Sequence, residues 1–243
     1  MRVAKRIAKS GMASRREAER MIANGEVKIN GKVIDTPALT VTAKDHVKVR
    51  GKLLLAPPER PMLYAVHKLR GELVSRADPL FRDCMMQRIQ GVQHIEGMKK
   101  IRIMDTLMPI GRLDYLTEGL VLLTDDGDFA RMMEHPSTQI TRVYRVRVRG
   151  HLTEEKVKAI QRGVKIDGVY YKGMAMTLDS SAKKNSWIQL SCTEGKNRQI
   201  RKVCEHLHLT VHRLQRIQYG PFKLGELQPG KVCPHSSSLL VHC

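Results

Sequence analysis

A proline-rich stretch near residue 55 places the strongest limit on the architecture of this chain. Residues 53–61 read L-L-L-A-P-P-E-R-P and contain three prolines. Proline lacks a backbone N–H, and its ring clashes with a preceding helical turn, so this stretch can continue neither a helix nor a central strand. The sequence therefore predicts two domains, at residues 1–55 and 62–243, joined by a linker at residues 56–61.

The first domain is predicted to begin with two short helices. Apolar residues recur at helical spacing over residues 2–10, and Gly11 follows as a typical C-terminal stop. Ser14 and Glu17 then form the capping-box pattern of a second helix, which Gly25 ends.

A β-hairpin is predicted directly after these helices. Val27 and Ile29 alternate with other residues, and the Asn-Gly pair at residues 30–31 favours the positive φ angles of a tight turn. A further strand is predicted at residues 46–50, where valines alternate with basic residues.

The charge of the chain predicts a nucleic-acid partner. Residues 1–52 carry 13 basic and 5 acidic side chains, a net charge of +8. The whole chain has 43 Lys and Arg against 24 Asp and Glu, a net charge of +19, which attracts a polyanion. Aromatic residues make up only 4%, which argues against a binder built on stacked aromatic platforms.

The first domain resembles the S4 RNA-binding domain. The resemblance rests on the element order and on residues 11–32, which read G-M-A-S-R-R-E-A-E-R-M-I-A-N-G-E-V-K-I-N-G-K. It implies that six basic side chains face structured RNA: Lys5, Arg15, Arg16, Arg20, Lys28 and Lys32. From the residues alone, the same charges also fit the solvated face of an amphipathic helix.

One segment of the second domain is rich in residues that can do chemistry. Residues 111–127 read G-R-L-D-Y-L-T-E-G-L-V-L-L-T-D-D-G. The apolar run at residues 120–124 predicts a buried strand, and residues 125–127 predict a turn at its end. Asp114 then lies in the loop that leads into a core strand, where a carboxylate can act as nucleophile or general base. Taken alone, a loop aspartate more often caps a helix or a turn.

The whole string resembles the signature G-R-L-D-x-x-T-E-G-L-L-L-L-T-N-D-G of RsuA and RluB type ribosomal RNA pseudouridine synthases. Two later segments agree with it, T-R-V-Y-R-V-R-V from residue 141 and T-E-G-K-N-R-Q-I-R-K-V from residue 193. The similarity is strongest to the large-subunit RluB branch and runs from about residue 62 to residue 230. It implies an α+β fold, in which the S4-like domain precedes a catalytic domain with a mixed, largely antiparallel sheet flanked by helices.

The resemblance assigns three catalytic residues. Asp114 corresponds to the aspartate that attacks the target nucleoside, at C6 of the base or at C1′ of the sugar. Tyr144 corresponds to the tyrosine that lines the site against the base, and strand alternation places it on the core side with Val146. Arg201 corresponds to the arginine that pairs with the aspartate, and it lies at the margin of the buried stripe of a helix predicted at residues 198–207.

Four other basic residues of this domain are predicted to contact RNA. Lys196, Arg198 and Lys202 are candidates for phosphate contacts, with a solvated basic face as the alternative interpretation. Arg112 is the candidate for a wedge that fills the gap left when the target base is extruded.

A possible metal cluster near the end of the predicted helix has no support from its spacing. It consists of Cys204, His206, His208 and His212, and it matches no standard zinc pattern. The reaction implied by the resemblance is an isomerisation without redox or energy input. We therefore expect no metal and no small-molecule cofactor.

The sequence predicts neither membrane contact nor a targeting segment. No run approaches the roughly 18 apolar residues of a membrane span, and the first residues show no signal-peptide or transit-peptide pattern. We expect a monomer in the bacterial cytoplasm, with an organelle that has its own ribosome as the alternative location.

The function expected from these observations is isomerisation of uridine to pseudouridine in large-subunit ribosomal RNA, free or in a pre-ribosomal particle. Two departures from the family pattern concern substrate contacts: Leu69 replaces a proline after Lys68, and the chain between Pro79 and Gly111 is longer than usual. A third, Asp125 in place of an asparagine, is a mild change in a turn. The main alternative is an assembly factor that binds RNA without modifying it. A DNA-binding regulator is disfavoured, because no recognition-helix pattern is present.

Overall fold

The computed structural model describes residues 1–55, 61–90, 107–182 and 185–235. The predicted linker, except Pro61, lies outside the described residues, as do residues 91–106 and the last eight positions of the predicted second domain. The described residues form six α-helices: Val3–Lys9 (α1), Arg15–Ala23 (α2), Met85–Gln90 (α3), Gly127–Glu134 (α4), Glu154–Arg162 (α5) and Gln199–His206 (α6). Their strands are Val27–Ile29 (β1), Lys32–Val33 (β2), Val47–Val49 (β3), Lys52–Leu53 (β4), Leu63–Lys68 (β5), Met108–Ile110 (β6), Glu118–Thr124 (β7), Arg142–Arg149 (β8), Gly163–Ile166 (β9), Val169–Lys172 (β10), Ala175–Ala182 (β11), Asn185–Cys192 (β12), Thr210–Tyr219 (β13), Phe222–Lys223 (β14) and Val232–Pro234 (β15).

Helices α1 and α2 pack with a four-stranded sheet of order β2-β1-β3-β4 around a separate hydrophobic core. Ser14 caps α2, and its side chain accepts a hydrogen bond from the Glu17 backbone N–H at 3.3 Å. Asn30 and Gly31 both have positive φ, at 49° and 86°, as the tight turn between β1 and β2 requires. The two helices, the hairpin and the following strand predicted from the sequence are therefore confirmed.

A nine-stranded sheet organises the rest of the described chain. Its main path runs β11-β12-β8-β13-β7-β5-β15, with β14 added to β13 and β6 added to β7. Only β13 and β7 pair in parallel, so the sheet is mixed and largely antiparallel, as the sequence predicted. The pattern of β8 shows why it fits here: Val146 and Val148 are fully buried on one face, whereas Arg145, Arg147 and Arg149 are exposed on the other.

The parallel pairing of β7 with β13 depends on a glycine. Gly119 has a φ of +102°, and an added Cβ there would lie 2.3 Å from the carbonyl oxygen of Arg216. No other residue fits without a backbone shift, so Gly119 lets the two strands pack closely. This contact places Arg216 on β13 beside the loop that precedes β7.

Two basic residues of α1 connect the small sheet domain to the large one. The Lys5 ammonium lies 2.7 Å from Asp128, and that of Lys9 lies 3.1 Å from both Asp126 and Asp128. Asp126 also caps α4, because its carboxylate accepts from the backbone N–H groups of Asp128 and Phe129. The turn predicted at residues 125–127 is thus the start of α4 and a contact for α1.

No helix of the described ranges is long and apolar enough to cross a membrane.

Candidate active site

A cleft of about 1110 Å³ opens between the loop before β7, strands β8, β12 and β13, and the start of α6. All three residues predicted to be catalytic line this cleft: Asp114, Tyr144 and Arg201. Three of the four basic residues predicted to contact RNA near the site line it as well: Arg112, Lys196 and Arg198. Lys202 is exposed on α6 and is not among the lining residues.

The loop that carries Asp114 is fixed from both sides. Its backbone forms a turn in which the Thr117 N–H donates to the Asp114 carbonyl at 3.0 Å. The Gly111 N–H donates to the carboxylate of Glu134 at the end of α4. The half-buried Asp114 side chain therefore extends from a held backbone into the cleft, which is the position that the sequence predicted for it.

Lys68, at the end of β5, holds the same loop from below. Its fully buried ammonium donates to the carbonyl oxygens of Thr117 at 2.6 Å, Leu69 at 2.9 Å and Tyr115 at 3.4 Å. Burial lowers the pKa of Lys68 to about 8, although the carboxylates of Glu72 and Asp114 oppose the shift. In the sequence Lys68 only marks the position before the missing proline, and its local pattern does not predict this contact.

Arg201 contacts the Asp114 loop through its backbone. Its Nη2 donates to the Leu116 carbonyl at 3.0 Å and to the Thr117 hydroxyl at 3.5 Å. Within the described residues no ion pair closer than 4.0 Å joins Arg201 to Asp114. Burial lowers the pKa of Arg201, as does neighbouring Arg198, while the Asp114 carboxylate raises it. The two groups thus interact through space, and direct pairing stays a prediction for the substrate-bound enzyme, where such contacts tighten.

Tyr144 lies on β8 between Leu190 of β12 and Arg216 of β13. Burial raises the pKa of its phenol. The role of Tyr144 against the base stays a prediction. Cys192, which also lines the cleft, is a thiol whose pKa burial raises to about 11. It is therefore a poor nucleophile, because only the thiolate attacks.

The sequence analysis missed two buried polar residues of the cleft, Gln199 and Arg216. They are 5% and 2% exposed, respectively, and both line the cleft. The Arg216 Nε donates to the Leu120 carbonyl at 2.7 Å, and its guanidinium lies 4.9 Å from the centre of the Tyr219 ring. Gln199 lies inside the segment that resembles the family, where the predicted contacts involve basic residues only. Arg216 lies outside the motif segments at residues 111–127, 141–148 and 193–203.

The basic residues predicted to face RNA in the small domain are mostly exposed. Arg15 pairs with Glu19 and Arg20 with Glu17 along α2, at 3.6 and 2.8 Å. The side chains of Arg16, Lys28 and Lys32 are exposed. Lys5 differs from these residues, because its ammonium contacts Asp128 of the large domain. The RNA contacts of all six stay predictions.

The candidate metal cluster does not assemble as a site. Cys204 is fully buried in the core under α6, where burial raises its pKa to about 12, whereas His206, His208 and His212 are exposed. Across the ranges that the structure describes, no group of three or more His, Cys, Asp or Glu side chains is arranged to hold a metal ion.

Comparison with known proteins gives the same picture over almost the whole chain. The RNA pseudouridylate synthase family matches residues 62–206, and the S4 domain family matches residues 1–47. A Rickettsia felis protein described as an uncharacterized RNA pseudouridine synthase is 37% identical, over 94% of both chains. The ribosomal large subunit pseudouridine synthase B of Bacillus subtilis is 34% identical over 96% of this chain and 93% of its own, and that of Yersinia pestis is 32% identical over 90% and 67%.

The fold agrees with a solved structure of the same kind. A crystal structure of a pseudouridylate synthase superposes with a TM-score of 0.64 at 25% identity, over 98% of this chain and 97% of the other. Family, relatives and fold thus agree with the cleft and with the motif residues that line it. The chain belongs to the RNA pseudouridylate synthases, in the group that carries an S4 domain before the catalytic domain.

Proposed function

We propose that this enzyme isomerises a uridine of large-subunit ribosomal RNA, with Asp114 as its nucleophile. One observation supports the nucleophile above the others. Four carboxylates line the cleft, and three have partners: Asp78 binds Arg82, Glu134 accepts from Gly111, and Glu194 binds Lys196. Among the described residues, the Asp114 carboxylate alone of the four has no hydrogen bond or ion pair, so it is free to attack.

The bond changes of this reaction balance without a second reactant. The N1–C1′ bond of uridine breaks, the base turns, and a C5–C1′ bond forms. C5 loses a proton and N1 gains one, so the atoms and electrons of substrate and product are the same. Asp114 forms a covalent bond, at C6 of the base or at C1′ of the sugar, and is released when the new glycosidic bond is complete. The chain thus needs to supply a carboxylate, a shaped cleft and a grip on the RNA.

The large-subunit RNA is proposed as substrate from the relatives and from the charge. Two relatives are named as large-subunit enzymes, and both are similar over at least 90% of this chain. A net charge of +19 suits a long RNA whose phosphates contact both domains. A base within such a fold must be extruded to reach Asp114, and we propose that Arg112, which is exposed and lines the cleft, fills the gap.

The experiment is pseudouridine-specific mapping of ribosomal RNA from cells with and without the gene, followed by assays of purified Asp114→Asn. The change is isosteric, so we expect turnover to be lost while RNA affinity stays near that of the wild type. Asp78→Asn is the matched control, because Asp78 lines the same cleft but is held by Arg82.

Each outcome of this experiment has one meaning. Full turnover by Asp114→Asn would remove Asp114 from the role of nucleophile. A signal that maps only to small-subunit or transfer RNA would overturn the proposed substrate. Tight RNA binding with no gene-dependent pseudouridine at any position would favour the assembly-factor alternative.

A further inference from the structure

The buried amide of Gln199 is an unusual feature of the cleft. Neither its Oε1 nor its Nε2 has a hydrogen-bond partner. Burying a polar group without a partner is costly, so folded proteins rarely retain one without a reason. Within the described residues, the other buried side-chain atoms without partners are Nε of Arg201 and Nη2 of Arg216. All three side chains line the same cleft.

The backbone holds Gln199 at the floor of the cleft. Arg198, just before it, has a φ of 51°, a left-handed conformation that non-glycine residues rarely adopt and that is frequent at functional sites. Gln199 then opens α6, and its N–H donates to the Lys196 carbonyl at 3.2 Å. It lies on the buried face of this helix with Ile200 and Val203, a position where an apolar residue would be expected.

We propose that Gln199 reads the target base, with its amide paired to N3–H and to one neighbouring carbonyl of the uracil. This rests on the proposed function, in which uridine is the substrate. An amide offers one acceptor and one donor side by side, and the uracil edge offers the complementary donor and acceptor. The amide is covered in the free protein, so a rotation of the side chain must bring it to the base.

The symmetry of uracil makes this pair suitable for the isomerisation. A half turn about the line through N3 and C6 exchanges N1 with C5 and one carbonyl with the other. N3–H and a carbonyl oxygen therefore occupy the same positions before and after the turn. Gln199 can hold the base by the same two hydrogen bonds in substrate and product while C5 replaces N1 opposite C1′. Cytosine has an amino group in place of one carbonyl, so the half turn would set like groups against each other.

The first arm of the test compares Gln199→Leu with Gln189→Leu on the RNA whose uridine the wild type is found to modify. Gln189 lies on β12, and its Nε2 donates to Asp179 at 2.8 Å outside the cleft. Each lost or mismatched buried hydrogen bond is worth about 1–3 kcal/mol, so we expect Gln199→Leu to turn over at least about tenfold more slowly at low RNA concentration. Its melting temperature should stay equal or rise, because a buried amide without partners is removed. Gln189→Leu should retain wild-type turnover.

The second arm uses RNA with 3-methyluridine at the target position, which has no N3–H. The wild type should discriminate strongly against it, because a buried amide then faces a methyl group. Gln199→Ala makes room for the methyl group, so it should process the two RNAs at similar rates. Gln199→Met keeps roughly the size of the side chain but can neither donate nor accept these hydrogen bonds. It serves if the smaller variants do not fold, and its discrimination should be weaker than that of the wild type.

Any of three results would overturn the role of Gln199. One is wild-type turnover by folded Gln199→Leu. Another is discrimination against 3-methyluridine that is unchanged in Gln199→Ala or Gln199→Met. The third is a melting temperature of Gln199→Leu that falls in step with activity, which would show a structural role instead. The proposed function fails separately, if the RNA that the wild type modifies is not large-subunit ribosomal RNA.

Discussion

The small domain and the cleft both present polar groups to RNA, but they do so in opposite environments. On α2 the arginines are exposed, and two of them pair with glutamates one turn away. Exposed pairs of this kind contribute about 0–1 kcal/mol, so exchanging a glutamate for a phosphate costs the fold little. In the cleft Gln199 and Arg216 are buried, as is Lys68 below the Asp114 loop, and burial makes each missing partner expensive. RNA affinity should therefore be spread over many replaceable charges, whereas turnover should depend on a few atoms.

This contrast is open to test, and the largest effect is expected at Arg201. Lysine would keep the charge but lacks the rigid planar guanidinium that aims Nη2 at the Leu116 carbonyl and the Thr117 hydroxyl, so the Asp114 loop would lose one of its supports. Since a displacement of about 1 Å can cost roughly a hundredfold in rate, we expect Arg201→Lys to lower kcat by about tenfold to a hundredfold with a smaller change in KM. Single-turnover assays at saturating RNA measure this. Arg198→Lys is the control, because a phosphate contact requires only the charge, and equal rates for the two variants would erase the contrast.

The second prediction uses the pH dependence of stability at Lys68. Its folded pKa of about 8 lies below its ordinary value of 10.5, so between these values the folded protein releases a proton that the unfolded chain keeps. The free energy of unfolding then rises with pH in this window, by about 1.4 kcal/mol for each unit of pKa difference. Wild type should gain stability relative to Lys68→Met from about pH 8 to about pH 10.5.

Denaturant unfolding of both proteins across this range measures the difference. The raised pKa values of Cys192 and Cys204 have the opposite effect, because a raised thiol pKa lowers the free energy of unfolding as pH rises. Both proteins contain these cysteines, so their effect cancels when the two stabilities are subtracted. Parallel stability curves would show that folding does not lower the pKa of Lys68.

Local pattern and the family motif were enough to find the small domain, the central strand of the catalytic segment and the three motif residues of the cleft. Periodicity predicts an element because burial repeats along the chain, as it does in β8. The contacts that support the Asp114 loop were not predicted, because they join segments that are far apart in the sequence. Lys68 binds a carbonyl 49 positions away, and Arg201 binds one 85 positions away.

Lys5 is a second case in which the local sequence does not predict a contact between distant segments. The exposed face of a basic helix predicts a phosphate contact, but its ammonium lies on Asp128, 123 positions away. Tertiary packing decides whether a charged side chain faces solvent or contacts another domain. The spacing of residues along one helix does not report that packing.

The smallest effect per residue is expected in the small domain, and it tests whether its charges act independently of the cleft. Arg16 and Lys28 are exposed, whereas the charge of Lys5 is already paired with Asp128. Each phosphate contact that is lost removes about one unit from the slope of log affinity against log salt concentration. The double variant Arg16→Ala with Lys28→Ala should thus bind the ribosomal RNA fragment more weakly and with a shallower salt dependence, while Lys5→Ala should leave the slope nearly unchanged.

The lost contacts stabilise the substrate complex and the transition state equally. KM of the double variant should therefore rise, and its kcat at saturating RNA should stay near that of the wild type. Measuring kcat and KM at two salt concentrations separates the effects. If KM holds and kcat falls in the double variant, the small domain shapes the active site, and the contrast between its surface and the cleft does not describe a division of labour.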